Sequence, residues 1–264
     1  SLISPVQTFF EELHRAGLEG VVLGRHYDSR VEAELRLASL APFARSGLLL
    51  VSGGSTFFEH FLRQKREEPD PLDAYIADSS LPWSSLSVAR EFASPSWNEA
   101  DPLPFQRIAR AAGLAPSLLG LDLHPRFGPW VAYRALLLLD LSLEESEVSN
   151  FEPCLGCAAP CIEVCPVGAV SRAGWDAKRC FDHRVDEGGC AEGCHSRLAC
   201  PVGAEHRYAP PVLRYFQASA LACSPKSKNP MALLDAALIV AYCPRICAEG
   251  VMAAIVSVEN VVKE

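Results

Sequence analysis

The sequence has no excess of positive charge and no hydrophobic run long enough to cross a membrane. Its 264 residues contain 24 lysines and arginines against 32 aspartates and glutamates, a formal net charge of −8. A broad nucleic-acid surface needs clustered Lys and Arg, so we expect no nucleic-acid partner. The longest apolar candidate, residues 231–262, is interrupted by charged residues and a proline, so we expect no membrane partner either.

The first residues, Ser-Leu-Ile-Ser-Pro, also lack the basic-then-apolar order of a secretory signal peptide. The sequence nevertheless contains 11 cysteines, and thiols in such number suit a reducing compartment. We therefore predict a cytoplasmic protein. With 49% hydrophobic residues, the chain is able to form one large domain or two modest ones around a real core.

What the sequence does have is a dense block of cysteines. Residues 154–166 read Cys-Leu-Gly-Cys-Ala-Ala-Pro-Cys-Ile-Glu-Val-Cys-Pro, close to the bacterial ferredoxin run C-x2-C-x2-C-x3-C-P. A cubane iron–sulfur cluster takes four thiolates, so eight cysteines suffice for two [4Fe–4S] clusters. The predicted metal ligands are Cys154, Cys157, Cys161, Cys165, Cys180, Cys190, Cys194 and Cys200.

An internal repeat relates the two halves of this block. Cys-Pro-Val-Gly-Ala occurs at residues 165–169 and again at 200–204. In two-cluster ferredoxins the fourth cysteine of each run binds the other cluster. We therefore predict a first site from Cys154, Cys157, Cys161 and Cys200, and a second from Cys165, Cys180, Cys190 and Cys194. The second half departs from the usual spacing, with x3 and x5 between its last three cysteines where x2 and x3 are usual.

Disulfide bonds and zinc binding are two other uses of the thiols, and the sequence favours them less. Disulfide frameworks are typical of small secreted chains, and zinc sites usually combine two C-x2-C pairs or cysteine with histidine. Only one C-x2-C pair occurs in this sequence. The three remaining cysteines, Cys223, Cys243 and Cys247, are interpreted as structural, with a redox pair of Cys243 and Cys247 as the alternative.

Helical and strand patterns alternate before the cysteines, which predicts an α+β or α/β layer fold. Amphipathic periodicity and capping signals predict helices, and apolar runs bounded by glycine predict strands. The predicted helices cover residues 5–17, 30–44, 56–66, 72–76 and 105–112, with a last helical segment from Met231; the strands cover 19–24, 47–52, 118–123 and 130–141; residues 81–104 are predicted to form loops.

Residues 120–130, Gly-Leu-Asp-Leu-His-Pro-Arg-Phe-Gly-Pro-Trp, resemble a segment of cobalamin-processing CblC proteins. In that family the His-Pro-Arg-Phe-Gly-x-Trp stretch leads into a sheet strand beside the corrinoid pocket. The resemblance implies that cobalamin is held by residues of this segment, namely His124, Arg126, Phe127, Gly128 and Trp130.

A wider set of motifs resembles epoxyqueuosine reductases and reductive dehalogenases. It comprises Arg-Ala-Ala-Gly-Leu at 110–114, Phe-Gly-Pro-Trp at 127–130, Asp-Leu-Ser-Leu at 140–143 and Cys-Leu-Gly-Cys at 154–157. Those enzymes place a corrinoid on a nitroreductase-like sheet with two cubane clusters beside it. Asp101, in Asp-Pro-Leu-Pro, matches the segment that carries their catalytic acid, but residues 113–120 lack the family's lysine.

These resemblances imply an α+β fold in which a nitroreductase- or CblC-like sheet flanked by helices is joined to a ferredoxin-like two-cluster domain. The expected boundaries are 1–150 for the cobalamin-binding domain, 151–205 for the cluster domain and 206–264 for a helical segment packing on the first domain. The expected function is electron transfer from two clusters to the cobalt of a corrinoid, supplied by a flavodoxin or ferredoxin-reductase type donor. The alternatives are a ferredoxin-type protein without corrinoid, a cobalamin carrier with redox-sensing clusters, and FMN in place of cobalamin.

Overall fold

The fold is known from a computed structural model that describes residues 5–64, 75–76, 90–93, 103–148, 150–186 and 188–222. Several expectations lie outside these residues. They concern Asp101, the cysteines at 223, 243 and 247, most of the helix expected at 72–76 and the helical segment expected from Met231.

An antiparallel sheet of four strands forms the centre of the described chain. The strands are β1 Leu18–Leu23, β2 Ser46–Gly53, β3 Arg90–Ala93, β4 Ala115–Pro116, β5 Asp122–Leu123, β6 Val131–Leu139, β7 Val170–Ser171 and β8 Gly174–Trp175. The order in the central sheet is β1-β2-β6-β3, and the pairing places Leu48 of β2 opposite Leu137 of β6. Two small hairpins, β4-β5 and β7-β8, lie outside this sheet.

Helices flank the sheet and also occur in the cysteine region. They are α1 Pro5–Arg15, α2 Arg25–Asp28, α3 Leu37–Leu40, α4 Thr56–Gln64, α5 Phe105–Ala111, α6 Pro160–Glu163, α7 Ala177–Asp186, α8 His195–Ala199 and α9 Pro210–Ala222, with short 3-10 turns at Ala33–Leu35 and Ala204–His206. Among the residues that the structure describes, no helix combines the length and apolar character needed to cross a membrane.

The two central strands are apolar on both faces because each face of the sheet is covered. Successive side chains of a strand point to opposite faces. Leu48 and Leu50 pack on one face with α1, α4 and α9, whereas Leu49 and Val51 pack on the other with α5 and the segment around α3. A sheet between two helical layers requires this continuous apolar run, and the α+β class predicted from the sequence is confirmed.

One predicted helix is wrong. Residues 30–44 form a 3-10 turn and the four-residue helix α3, separated by Arg36 in an extended conformation. Two side chains hold this broken path: the Tyr27 hydroxyl donates to the Leu35 carbonyl at 3.0 Å, and the Asp28 carboxylate accepts from the Leu37 N–H at 2.9 Å. These tertiary contacts replace the continuous helical hydrogen bonding that the local pattern favours.

Two other local predictions also need correction. The strand predicted at 118–123 is reduced to β5, because Ser117 makes a turn in which its hydroxyl accepts from Leu119 and donates to the Leu121 carbonyl. Conversely, β3 lies within the predicted loops of 81–104 and pairs with β6 at the edge of the sheet. Such edge pairing depends on a distant strand, so the composition of the segment itself does not reveal it.

Candidate metal centre

Four of the predicted ligands surround one cavity. Cys154, Cys157, Cys161 and Cys200 all line a cavity of about 380 Å³, a volume that includes space open to solvent. Cys161 lies in α6, whereas Cys200 directly follows α8, so the fourth thiol comes from the far end of the block. The first predicted group is therefore brought together, and residues 117–119 and Leu123 from the sheet side close the cavity wall.

The other four thiols form a second group. Burial raises the pKa of Cys180, and the neighbouring thiols Cys194 and Cys190 raise it further. Burial likewise raises the pKa of Cys190, with Cys194 and Cys165 adding to the effect. Cys165 therefore acts electrostatically on a thiol of the second group. Its assignment as a ligand of the second site stays a prediction.

Thiols crowded in this way cannot all ionise without a positive partner. Burial raises the pKa of both Cys161 and Cys200, and nearby thiols of the same group raise it again. Like charges in a partly desolvated place disfavour the ionised form, whereas the thiolate is the form that binds metal. Each group therefore suits a cationic centre that compensates several thiolates at once.

The internal repeat gives the same backbone turn twice. Gly168 and Gly203 hold equivalent positions in the two Cys-Pro-Val-Gly-Ala segments, with φ of +61° and +63°. Glycine adopts this left-handed conformation without a steric penalty. In the first copy the turn aims backbone N–H groups at sulfur, and Ala169 N lies 3.2 Å from Cys165 Sγ.

These N–H groups act on the Cys165 thiol itself. Burial raises its pKa, but N–H groups of residues 167, 169 and 170 and the hydroxyl of Ser196 more than offset burial, so the pKa lies below its usual value. Hydrogen bonds to sulfur stabilise a thiolate and are among the features that tune iron–sulfur potentials.

The eight predicted ligands are present as thiols. All eight are free cysteines, so none forms the disulfide considered above. In the part of the chain that the structure describes, no three thiol, imidazole or carboxylate groups are close enough to hold one metal ion.

The segment assigned to cobalamin by resemblance forms a tight turn, closed by a bridge between His124 and Gly128. His124 Nδ1 accepts from the Arg126 backbone N–H at 3.1 Å, and the Arg126 guanidinium pairs with Glu19 at 2.5 Å. The Phe127 ring is buried against Gly53, where an added Cβ would lie 2.3 Å from it.

Burial decides the protonation of His124. The side chain is 11% exposed, and burial, followed by the charges of Arg126 and His206, lowers its pKa to about 4. The Glu19 carboxylate acts in the opposite direction but lies 3.9 Å from Nε2, beyond hydrogen-bond distance. His124 is therefore neutral near pH 7.

Trp130 connects the sheet to the cysteine region through an arginine that the sequence analysis missed. Its ring is fully buried. Arg197, in α8, places its guanidinium 4.7 Å from the Trp130 ring centroid and 4.8 Å from that of Tyr208, and also donates to the Pro129 carbonyl at 3.0 Å. Only its position between Cys194 and Cys200 marks Arg197 in the sequence.

The five residues assigned to cobalamin therefore lie together, but each is engaged by protein contacts. None is among the residues lining the cysteine cavity in the described chain. Gly128 has a φ of +55° and lies so near Val202 that an added Cβ would be 2.0 Å from the Val202 carbonyl oxygen. Their contact with a corrinoid stays a prediction, as does the role of Asp101.

No protein-family model and no curated protein sequence matches the chain. Among solved structures, an epoxyqueuosine reductase with a tRNA stem loop is similar at a TM-score of 0.47 and 16% identity, over 87% of this chain and 71% of that one. A selenomethionine-labelled epoxyqueuosine reductase has a TM-score of 0.46 and 16% identity, over 86% and 76%.

A third similar structure, a Bacillus subtilis epoxyqueuosine reductase with its catalytic loop swung out of the active site, has a TM-score of 0.44 and 15% identity, over 78% and 68%. At these scores the likeness decides neither the fold nor the reaction of this chain.

The close contact between Gly128 and Val202 predicts that a methyl group added at Gly128 lowers the stability of the protein. We expect Gly128→Ala to lower the free energy of unfolding by about 2 kcal/mol more than Gly188→Ala, measured by chemical denaturation. Both glycines have positive φ, +55° and +64°, so both substitutions carry similar backbone strain. Only Gly128 faces a backbone oxygen, because nothing lies within 4 Å of a Cβ added at Gly188. Equal losses in the two variants would contradict this close approach.

Burial of neutral His124 predicts a specific pH dependence. Its folded-state pKa of about 4 is below the ordinary 6.5, so the unfolded chain binds the proton more tightly. The resulting stability is complete above pH 6.5 and is lost as the pH falls toward 4. Between pH 7 and pH 5 we expect unfolding free energy to fall by about 2 kcal/mol more in the wild type than in His124→Asn.

Asparagine is the appropriate replacement because its side-chain oxygen can accept the Arg126 N–H but does not titrate. The same pH dependence in both proteins would show that His124 is not held neutral by burial.

Proposed function

We propose that this chain is an iron–sulfur oxidoreductase that holds two [4Fe–4S] clusters and passes single electrons between them. Two observations support this proposal. Cys200 lines one cavity together with Cys154, Cys157 and Cys161, and Cys165 acts electrostatically on Cys190.

The donor set of each group fits a cubane. Four thiols without histidine or carboxylate are the usual ligands of such a cluster. When bound, the cofactor supplies one-electron transfer at a potential that the protein sets through hydrogen bonds, charge and solvent access. The chain contributes the thiolates, the N–H groups directed at Cys157 and Cys165 at 3.3 and 3.2 Å, and the apolar wall of residues 118, 119 and 123 that limits water on the first site.

Electrons enter at the first site in this proposal, because its ligands lie next to an exposed apolar side chain. Leu155, between Cys154 and Cys157, is 80% exposed. A Cβ added at the adjacent Gly156 would meet nothing within 4 Å, so the loop is open to a docking protein. The donor is a low-potential one-electron carrier of the flavodoxin or ferredoxin-reductase type.

Two double variants test the crossed ligand assignment. Anaerobically reconstituted wild type should bind about eight iron atoms per chain. In C161A/C200A both missing ligands belong to the first site, so we expect about four iron atoms to remain. In C161A/C165A one ligand of each site is missing, so we expect both clusters to be lost. Iron and acid-labile sulfide analysis measures these contents.

The two double variants share C161A and differ only in the second cysteine, so each is the control for the other. The reverse result, with iron kept in C161A/C165A and lost in C161A/C200A, would mean that each run binds its own cluster. Wild type without iron or sulfide would overturn the proposed function as a whole.

We further propose that the electron acceptor is a corrinoid. This part of the proposal rests on the resemblance of residues 120–130 to cobalamin-processing CblC proteins. On the protein side, the turn from His124 to Gly128 adjoins the cluster region through Val202, which is the placement that reduction of a bound corrinoid requires. Without a corrinoid, the same chain is a two-cluster electron-transfer protein whose sheet is a scaffold or binds FMN.

Hydroxocobalamin distinguishes these forms. We expect titration of the reconstituted protein to give saturable changes in the corrin absorption bands, followed by bands of lower-valent cobalt after a low-potential reductant is added. Saturable binding without bands of lower-valent cobalt after reductant is added would support the cobalamin-carrier alternative. Unchanged absorption bands in a protein with full iron content would contradict corrinoid binding but not the two-cluster function. FMN binding would then be tested by the same kind of titration.

A further inference from the structure

We propose that Arg184 raises the reduction potential of the second cysteine site above that of the first, and so directs electrons from the first site to the second. This inference rests on the proposed function and assigns a positioning role in electron transfer to a residue outside the cysteine motifs.

Helix geometry and a fixed hydrogen bond place Arg184 beside the second group. Arg184 and Cys180 are four residues apart on α7, and residues at this spacing lie on the same face of a helix. The Arg184 guanidinium also donates through Nη2 to the Gln217 carbonyl of α9 at 2.9 Å, in a partly buried position. The side chain is therefore anchored between two helices rather than extended into solvent.

Arg184 interacts electrostatically with three thiols of the second site. Burial lowers the pKa of Arg184, whereas Cys180, Cys194 and Cys190 each act to raise it. In return, Arg184 acts to lower the pKa of Cys180 and of Cys190. An arginine side chain remains protonated in proteins, so the site has a permanent cation next to its ligands.

The first site has a different charge environment in the described part of the chain. The causes that shift Cys161 and Cys200 are burial, backbone N–H groups and the other thiols, without a cation among them. Arg172 donates to the Cys157 carbonyl at 3.2 Å, but it is exposed. Near the second site, Arg214 is 45% exposed and pairs with Glu192 at 3.3 Å, so its charge is compensated and screened.

A partly buried cation favours the more negative state of whatever it faces, and it does so more strongly than an exposed one because solvent screens it less. Adding an electron makes the second site more negative, so Arg184 raises the affinity of that site for the electron. One electron leaves the first site and one arrives at the second, without proton transfer or bond cleavage. The electron originates from the low-potential donor named above.

The test is an EPR-monitored redox titration of the full reconstituted chain with dithionite as reductant. The C161A/C200A variant identifies the second-site signal. In R184Q we expect its midpoint potential to become more negative, so that the ratio of reduced to oxidised second site at a given potential falls at least tenfold, equivalent to ~59 mV for one electron. R184K keeps the charge and should keep most of the potential.

Lys178→Gln is the matched control. Lys178 is on the same helix and has the same charge, but it is 79% exposed and pairs with Asp182, so neither potential should change. A second-site potential in R184Q equal to that of the wild type, at full iron content, would overturn the inference. A potential in R184K as low as that expected for R184Q would also overturn it, and this remains measurable if R184Q fails to bind its second cluster.

Failure of the proposed function itself would look different. In that case the wild type would lack iron and sulfide and would give no cluster signal to titrate.

Discussion

Mutual repulsion among crowded thiols is the constraint on which the rest of this structure depends. Burial and neighbouring thiols raise the pKa of Cys161 and Cys200 near the first predicted site, and of Cys180 and Cys190 near the second. Such an arrangement is costly for the protein alone and favourable once a cationic centre binds. If Cys165 and Cys200 bind as proposed, each site takes ligands from both halves of the block, and binding at either site would order both halves.

The sheet domain supplies a rigid surface for this block. Gly128 and Gly203 allow the backbone of the His124–Gly128 turn to approach residues 202–203 closely. Arg197 adds a second connection by lying against the rings of Trp130 and Tyr208. Arg197 stands between two predicted ligands in sequence. Its contacts therefore hold the segment that carries Cys194 and Cys200 against the sheet side.

The sequence predicted most reliably those features that a local pattern determines. The buried strand β2 and the amphipathic helices α1 and α4 follow from periodicity. The grouping of cysteines, taken from spacing and the repeated Cys-Pro-Val-Gly-Ala segment, stays a prediction. The broken path through residues 30–44 was missed because it depends on side-chain contacts of Tyr27 and Asp28 that the helical pattern does not reveal. The edge strand β3 and the Arg197 stack were missed because they depend on partners far away in the chain. For the residues assigned to cobalamin by resemblance, the structure shows their positions and their contacts with the rest of the protein.

The most direct test of the account is a Mössbauer spectrum of the wild-type chain reconstituted anaerobically with iron-57. We expect all bound iron to give the signal of cubane clusters, which become one-electron reduced when dithionite is added. A spectrum of isolated ferrous or ferric thiolate sites, or of two-iron clusters alone, would contradict the claim that the two groups of four thiols hold cubanes.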